Sequence, residues 1–185
     1  MVDTAGLGAL TADRALALAV CAAHGVPAAV AGPAMDAAAA DPGRFFARSV
    51  AIGDKTVRFA NAFACNDVAS LALLWPTVSC DRAPVVLLNA RRDRPLRTRA
   101  FLKFLVAQAP SPLLFVVGDP LAALLARRAG FARDAVRRLR ARTSAAALAE
   151  LAAVAPSGGV IWGVGNYQGL GARLVAQITK HGTSC

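Results

Sequence analysis

The sequence predicts an α/β fold: a mostly parallel sheet with helices on both faces, preceded by a short helical appendage and a β-hairpin. Three observations carry this. The runs at 85–88, 113–117 and 160–164 are short and almost wholly apolar, as strands covered on both faces must be. Segments of helical periodicity separate them, which implies right-handed crossovers between parallel strands. Two consecutive strand ends also deliver polar clusters to the start of a helical segment, where open α/β sheets bind ligands.

The 185 residues suit one domain with a small addition. Residues 11–21 read as a helix, with Thr11 or Asp13 as its cap and Leu16, Ala19, Val20 and Ala23 on one face. Gly25-Val26-Pro27 ends it. A second helix over 28–40 closes at Asp41-Pro42-Gly43, a turn that separates a helical appendage, 1–42, from the main domain, 43–185. Next, 45–52 and 56–60 alternate in character around Gly53-Asp54-Lys55, which predicts a hairpin.

The text then alternates: helix 68–76, strand 85–88, helix 95–108, strand 113–117, helices 120–129 and 143–154, strand 160–164 and helix 170–181. Pro95 and Pro120 both fit a first helical turn, where the missing amide would be unpaired anyway. Residues 135–139 leave a short strand open.

Composition narrows the function. Apolar residues make up 56% of the chain, but many are alanine. The uncharged stretch 15–35 is broken by Gly25, Pro27, Gly32 and Pro33, which argues against a membrane span or a targeting signal and for a cytoplasmic chain. Cys21, Cys65, Cys80 and Cys185 are widely spaced and never form Cys-x-x-Cys, which predicts reduced thiols rather than zinc ligands or a disulfide framework. With His24 and His181 as the only histidines, metal chemistry by soft ligands is not expected.

The net charge of +10 comes mostly from arginine, concentrated at 91–99 and 127–142. Nucleic-acid binding would require recognisable modules or interleaved aromatics. The chain has one tyrosine, and Trp75 and Trp162 are far apart in sequence, so the second cluster reads as a solvated face.

Three segments carry candidate chemistry. Gly163-Val164-Gly165-Asn166, with Gly169 and Gly171, follows a strand and precedes a helix, but its spacing departs from the dinucleotide fingerprint. What remains is close backbone approach and helix-start amides that attract anions, or glycines serving only a tight turn. In Arg91-Arg92-Asp93-Arg94-Pro95-Leu96-Arg97, guanidinium groups suit carboxylates or phosphates and Asp93 can orient one of them, or the run is a solvated loop with Asp93 in an ordinary surface ion pair. Asn61, Asn66 and Asp67 follow the hairpin, where Asp67 also fits a helix cap. No phosphate loop and no nucleophile–base arrangement occurs.

The ordered set Ala15 to Cys21, Asp41-Pro42-Gly43, Asn61 to Asp67, Asn89 to Thr98 and Gly163 to Gly171 resembles the ligase subunit of poly-γ-glutamate synthase, in the Mur ligase superfamily. The likeness runs from about residue 12 to 180 and matches the C-terminal part, a Rossmann-like domain preceded by the end of a central ATPase domain. It implies a capsule-polymer enzyme that uses ATP and magnesium to make an acyl phosphate, which a glutamate amine attacks. The phosphate-loop domain is absent from this chain. By the same likeness, Arg94, Arg97 and Asp93 are catalytic. Asn89, Arg91, Gly163, Gly165 and Asn166 bind substrate, and Asn61, Asn66 and Asp67 face the nucleotide. The implied partners are an ATPase domain or companion half, glutamate and polyglutamate, and membrane subunits that would hold the chain at the inner membrane face. A non-catalytic module that binds nucleotide or an acidic polymer is the alternative.

Overall fold

Residues 7–37, 43–78, 81–108 and 110–184 are described by a computed structural model. It divides into two units, Met1–Asp41 and Pro42–Cys185. The first contains α1 (Leu7–Ala23) and α2 (Ala28–Ala37), linked through Gly25 at φ 80°. The Arg14 guanidinium pairs with Asp36 across the two helices. Because α1 begins at Leu7, Thr11 and Asp13 lie inside it and neither caps it. Leu7, Ala9 and Leu10 ahead of Thr11 are strong helix formers and carry the helix upstream despite Gly8. Residues 38–42, including the Asp41-Pro42 turn, and Cys80 and Cys185 lie outside the described residues.

In the second unit the elements run β1 (Phe46–Ile52), β2 (Lys55–Ala62), α3 (Val68–Leu74), a 3-10 turn (Trp75–Thr77), β3 (Val85–Ala90), α4 (Pro95–Val106), β4 (Leu113–Gly118) and α5 (Ala122–Ala129). Then follow β5 (Val136–Arg138), α6 (Ser144–Val154), β6 (Val160–Gly165), α7 (Leu170–His181) and β7 (Thr183–Ser184). The sheet order is β5-β4-β3-β6-β2-β1-β7. Strands β5, β4, β3, β6 and β2 are mutually parallel, whereas β1 runs antiparallel to both β2 and β7. Ile52 opposite Lys55 leaves Gly53-Asp54 as the two-residue hairpin turn, with Gly53 at φ 61°.

Strands β3 and β6 occupy the middle, and every residue in them is buried. One face packs Leu71 of α3, Phe101, Leu102 and Leu105 of α4, and Ala122 and Ala126 of α5. The other packs Leu148 and Leu151 of α6 against Leu174, Val175 and Ile178 of α7. Trp75 and Trp162, distant in sequence, stack with ring centroids 4.7 Å apart, and Phe45 lies 6.0 Å from Trp162. Basic residues of the hairpin close the helix ends on the second face. Arg48 Nη1 donates to Thr179 O at 2.7 Å, and Lys55 Nζ to the carbonyls of Ala152, Ala153 and Ala155 at 3.4 Å, where helix dipoles favour cations.

Two boundaries differ from expectation for local reasons. Asp119 Oδ1 accepts the Leu121 amide at 2.9 Å, so Pro120 sits in a turn and α5 starts at Ala122. Pro76 cannot extend the α-helical bonding, and α3 stops at Leu74 before tightening into the 3-10 turn. Among the described residues no helix is long and apolar enough to cross a membrane.

Candidate functional site

The five parallel strands all present their carboxyl ends at one edge of the sheet. Strands β2 and β3 continue into helices on one face, and β6, between them, continues into α7 on the other. This change of side opens a crevice above β6, the place where such sheets hold ligands.

On the β2 side, Asn61 is wholly buried and committed to the backbone. Its Nδ2 donates to Arg44 O at 2.9 Å and its Oδ1 accepts from Phe63 N at 3.4 Å. Asp67 caps α3 by accepting the Ser70 amide at 2.7 Å, and that bond holds its carboxyl below the usual carboxylate range. Asn66 reaches the neighbouring cluster, its Oδ1 accepting from Arg97 Nη1 at 3.2 Å.

On the β3 side, the Arg91 fork grips Asp93, Nε to Oδ1 at 2.8 Å and Nη2 to Oδ2 at 2.6 Å. That pairing lowers the Asp93 pKa and raises that of Arg91. Arg94 stands exposed at the start of α4. Arg97, half-buried on the first turn, has its pKa lowered by desolvation and then by the charges of Arg94 and Arg91. Among the described residues its guanidinium hydrogen bond goes to a neutral amide oxygen, so the positive charge is held in place without being neutralised.

On the β6 side the glycines admit the protein's own chain. A Cβ on Gly163 would stand 2.5 Å from the Phe63 ring, and one on Gly165, at φ 100°, would stand 2.5 Å from Asn89 O. Asn89 fastens the following loop, donating from Nδ2 to Asn166 O at 2.7 Å and Gln168 O at 2.9 Å, while Asn166 N donates to Asn89 O at 2.8 Å. Asn89, Gly163, Gly165 and Asn166 therefore form a seam between β3 and β6. Asn66, Arg91, Asp93, Arg94 and Arg97 gather at the solvent-facing edge.

Some lining residues escape sequence reasoning. Arg44, Phe45, Cys65, Ser70 and Leu74 join Asn66 and Asp67 around a hollow of about 270 Å³. Phe45 and Leu74 carry no motif signal, whereas the place of Cys65 inside the Asn61–Asp67 segment is its signal in the sequence. Burial, followed by the Asp67 charge, pushes the Cys65 thiol up to about 11, so it remains protonated and poorly nucleophilic. A second hollow of about 270 Å³ lies beside Gly118, Asp119 and Arg138 at the ends of β4 and β5. Among the described residues no group of three His, Cys, Asp or Glu side chains is placed to hold a metal ion.

The family model for the poly-gamma-glutamate synthase CapB C-terminal domain matches residues 47–181. The capsule biosynthesis protein CapB of Bacillus anthracis is 32% identical over 114 residues, covering 60% of this chain and 25% of that protein. The aligned part of the chain thus spans about a quarter of the length of the curated relative it matches.

Proposed function

The chain belongs to the poly-gamma-glutamate synthase CapB C-terminal domain family, and from that premise we propose that it is the closing part of an ATP-dependent ligase joining glutamate through γ-amide bonds. The observation that carries the reading is Arg97. It is partly desolvated, tied to Asn66 across the crevice and crowded by Arg94 and Arg91, so it suits an incoming anion. ATP would supply the phosphoryl group that converts a γ-carboxylate into an acyl phosphate. Arg97 and Arg94 would neutralise the carboxylate and phosphate oxygens as the amine of the next glutamate attacks, which is electrostatic assistance. Asp93, its pKa lowered by the Arg91 fork, is a weak base and serves to orient that arginine.

The residues present fit an anionic group but not magnesium, for which the described residues offer no acidic cluster. With no phosphate loop in the sequence either, no step is assigned to a metal on this chain. In this reading the ATPase domain comes from a companion segment, with residues 1–42 as the end of it. The chain works in the cytoplasm, peripheral to membrane subunits of the synthase.

The test is reconstitution: the chain is supplied in trans to a CapB-type ligase truncated before its C-terminal quarter, and glutamate-dependent phosphate release from ATP is followed. Release should require the chain, and Arg97→Ala should lower turnover about 100-fold without changing the melting temperature. Full turnover without the chain would sink the closing-part reading, and wild-type turnover in the variant would remove Arg97 from the site.

A further inference from the structure

Strand order sets a second group of arginines in line with the first. Strand β5 ends at Arg138, and Arg140 and Arg142 follow before α6 begins; all three are exposed. The registers Val116 to Arg138 and Ala90 to Gly118 put the carboxyl ends of β5, β4 and β3 side by side. At ordinary strand spacing the first and third ends are about 10 Å apart. The β5 arginines therefore continue the edge that carries the Arg91–Arg97 cluster.

The acids along this edge are already engaged. Asp93 is held by Arg91, Asp119 is buried against the Leu121 amide, and the Glu150 carboxylate accepts the amides of Arg140 and Ala141 at 3.0–3.2 Å. These bonds hold the carboxylates in place without removing their charge, but the arginines of 91–97 and 138–142 outnumber them, so the rim is net positive. Neither 91–97 nor 138–144 contains an aromatic side chain on which bases could stack, so the rim lacks the usual platform for single-stranded nucleic acid.

We propose that this rim is a track for a linear polycarboxylate, holding the γ-linked glutamate chain beside its reacting end. The proposal rests on the ligase reading and adds to it a binding surface outside the crevice. Short glutamate oligomers engage the Arg97 end alone, whereas longer ones also engage Arg138, Arg140 and Arg142.

Fluorescence anisotropy with labelled short and long γ-linked glutamate oligomers at low salt tests this, using the wild-type chain, the Arg138→Gln/Arg140→Gln/Arg142→Gln variant and Arg97→Ala. Wild-type affinity should rise with oligomer length. The triple variant should lose about tenfold for the long oligomer, keep its affinity for the short one and keep its melting temperature. Length-dependent binding that survives in the triple variant overturns the track. If Arg97→Ala nevertheless weakens both oligomers, the track falls while the ligase reading stands; if neither variant matters, both fall. Exposed Leu96 and Leu121 lie on the same edge, so anionic phospholipid vesicles and single-stranded DNA are run as competitors. Tighter binding of either one through the three arginines also overturns the proposal.

Discussion

The glycine-bearing turn after β6 and the arginine-bearing turn after β3 are neighbours on one sheet edge, yet the protein uses them in opposite ways. In the first, Gly163 and Gly165 let Phe63 and Asn89 close in, and the Asn89 amide fastens the loop. In the second, Arg91 is matched by Asp93, while Arg94 stands exposed and Arg97 bonds only to the neutral Asn66 amide among the described residues, so neither is ion-paired. A glycine pattern that looks made for a ligand is absorbed by packing. The capacity to bind resides where charge is positioned and left over.

Substitutions can break this contrast. The largest effect is expected from Gly165→Ala, because φ 100° and the nearness of Asn89 O add strain to overlap. Denaturant unfolding should show a loss of about 3 kcal/mol. If stability is unchanged and only ligand binding suffers, the glycine serves the ligand after all. Arg97→Ala should behave in the opposite sense, damaging turnover in the reconstituted ligase and sparing the fold. Asn89→Leu, which keeps the branched shape but removes the donor to two loop carbonyls, should cost about 2 kcal/mol and speed amide hydrogen exchange at Gln168 to Leu170. Unaltered exchange there would mean the loop does not depend on Asn89.

The smallest effect concerns rate and pH. Cys65 holds its proton up to about pH 11, so iodoacetamide should label it slowly at pH 8 and faster as pH rises toward that value. The folded pKa is raised, so this thiol's contribution to stability is complete below its unfolded pKa and is lost as pH climbs from about 9 to 11. Rapid labelling of its peptide at pH 8, read by mass spectrometry, would contradict the raised pKa of this half-buried thiol.

Much of the fold was legible because it is written locally. The apolar runs at β3, β4 and β6 mark strands covered on both faces, and Asp67 caps α3 through the Ser70 amide, whereas Thr143, read as the first residue of a helix, proves to be the cap of α6. Thr183–Ser184 carries no pattern, and it is a strand only because β1 lies beside it. The site divided in the same manner. The arginine cluster is a run of neighbours in the text, so its charge could be read directly. The seam could not be read that way, because it depends on β3 lying next to β6 with three helices and two strands between them in sequence. The Trp75–Trp162 stack was hidden for the same reason.

The flank formed by β5 has a consequence for handling the protein. It offers an approaching strand only Val136–Arg138, and two of those three residues are exposed arginines. A second copy meeting it edge to edge would find few amides to bond and like charges face to face, which discourages templated aggregation. Salt screens that repulsion within a few ångströms at molar strength. Concentrated stocks should therefore stay clear in dilute buffer and cloud first when ionic strength is raised, the reverse of the usual practice of adding salt to keep a basic protein in solution.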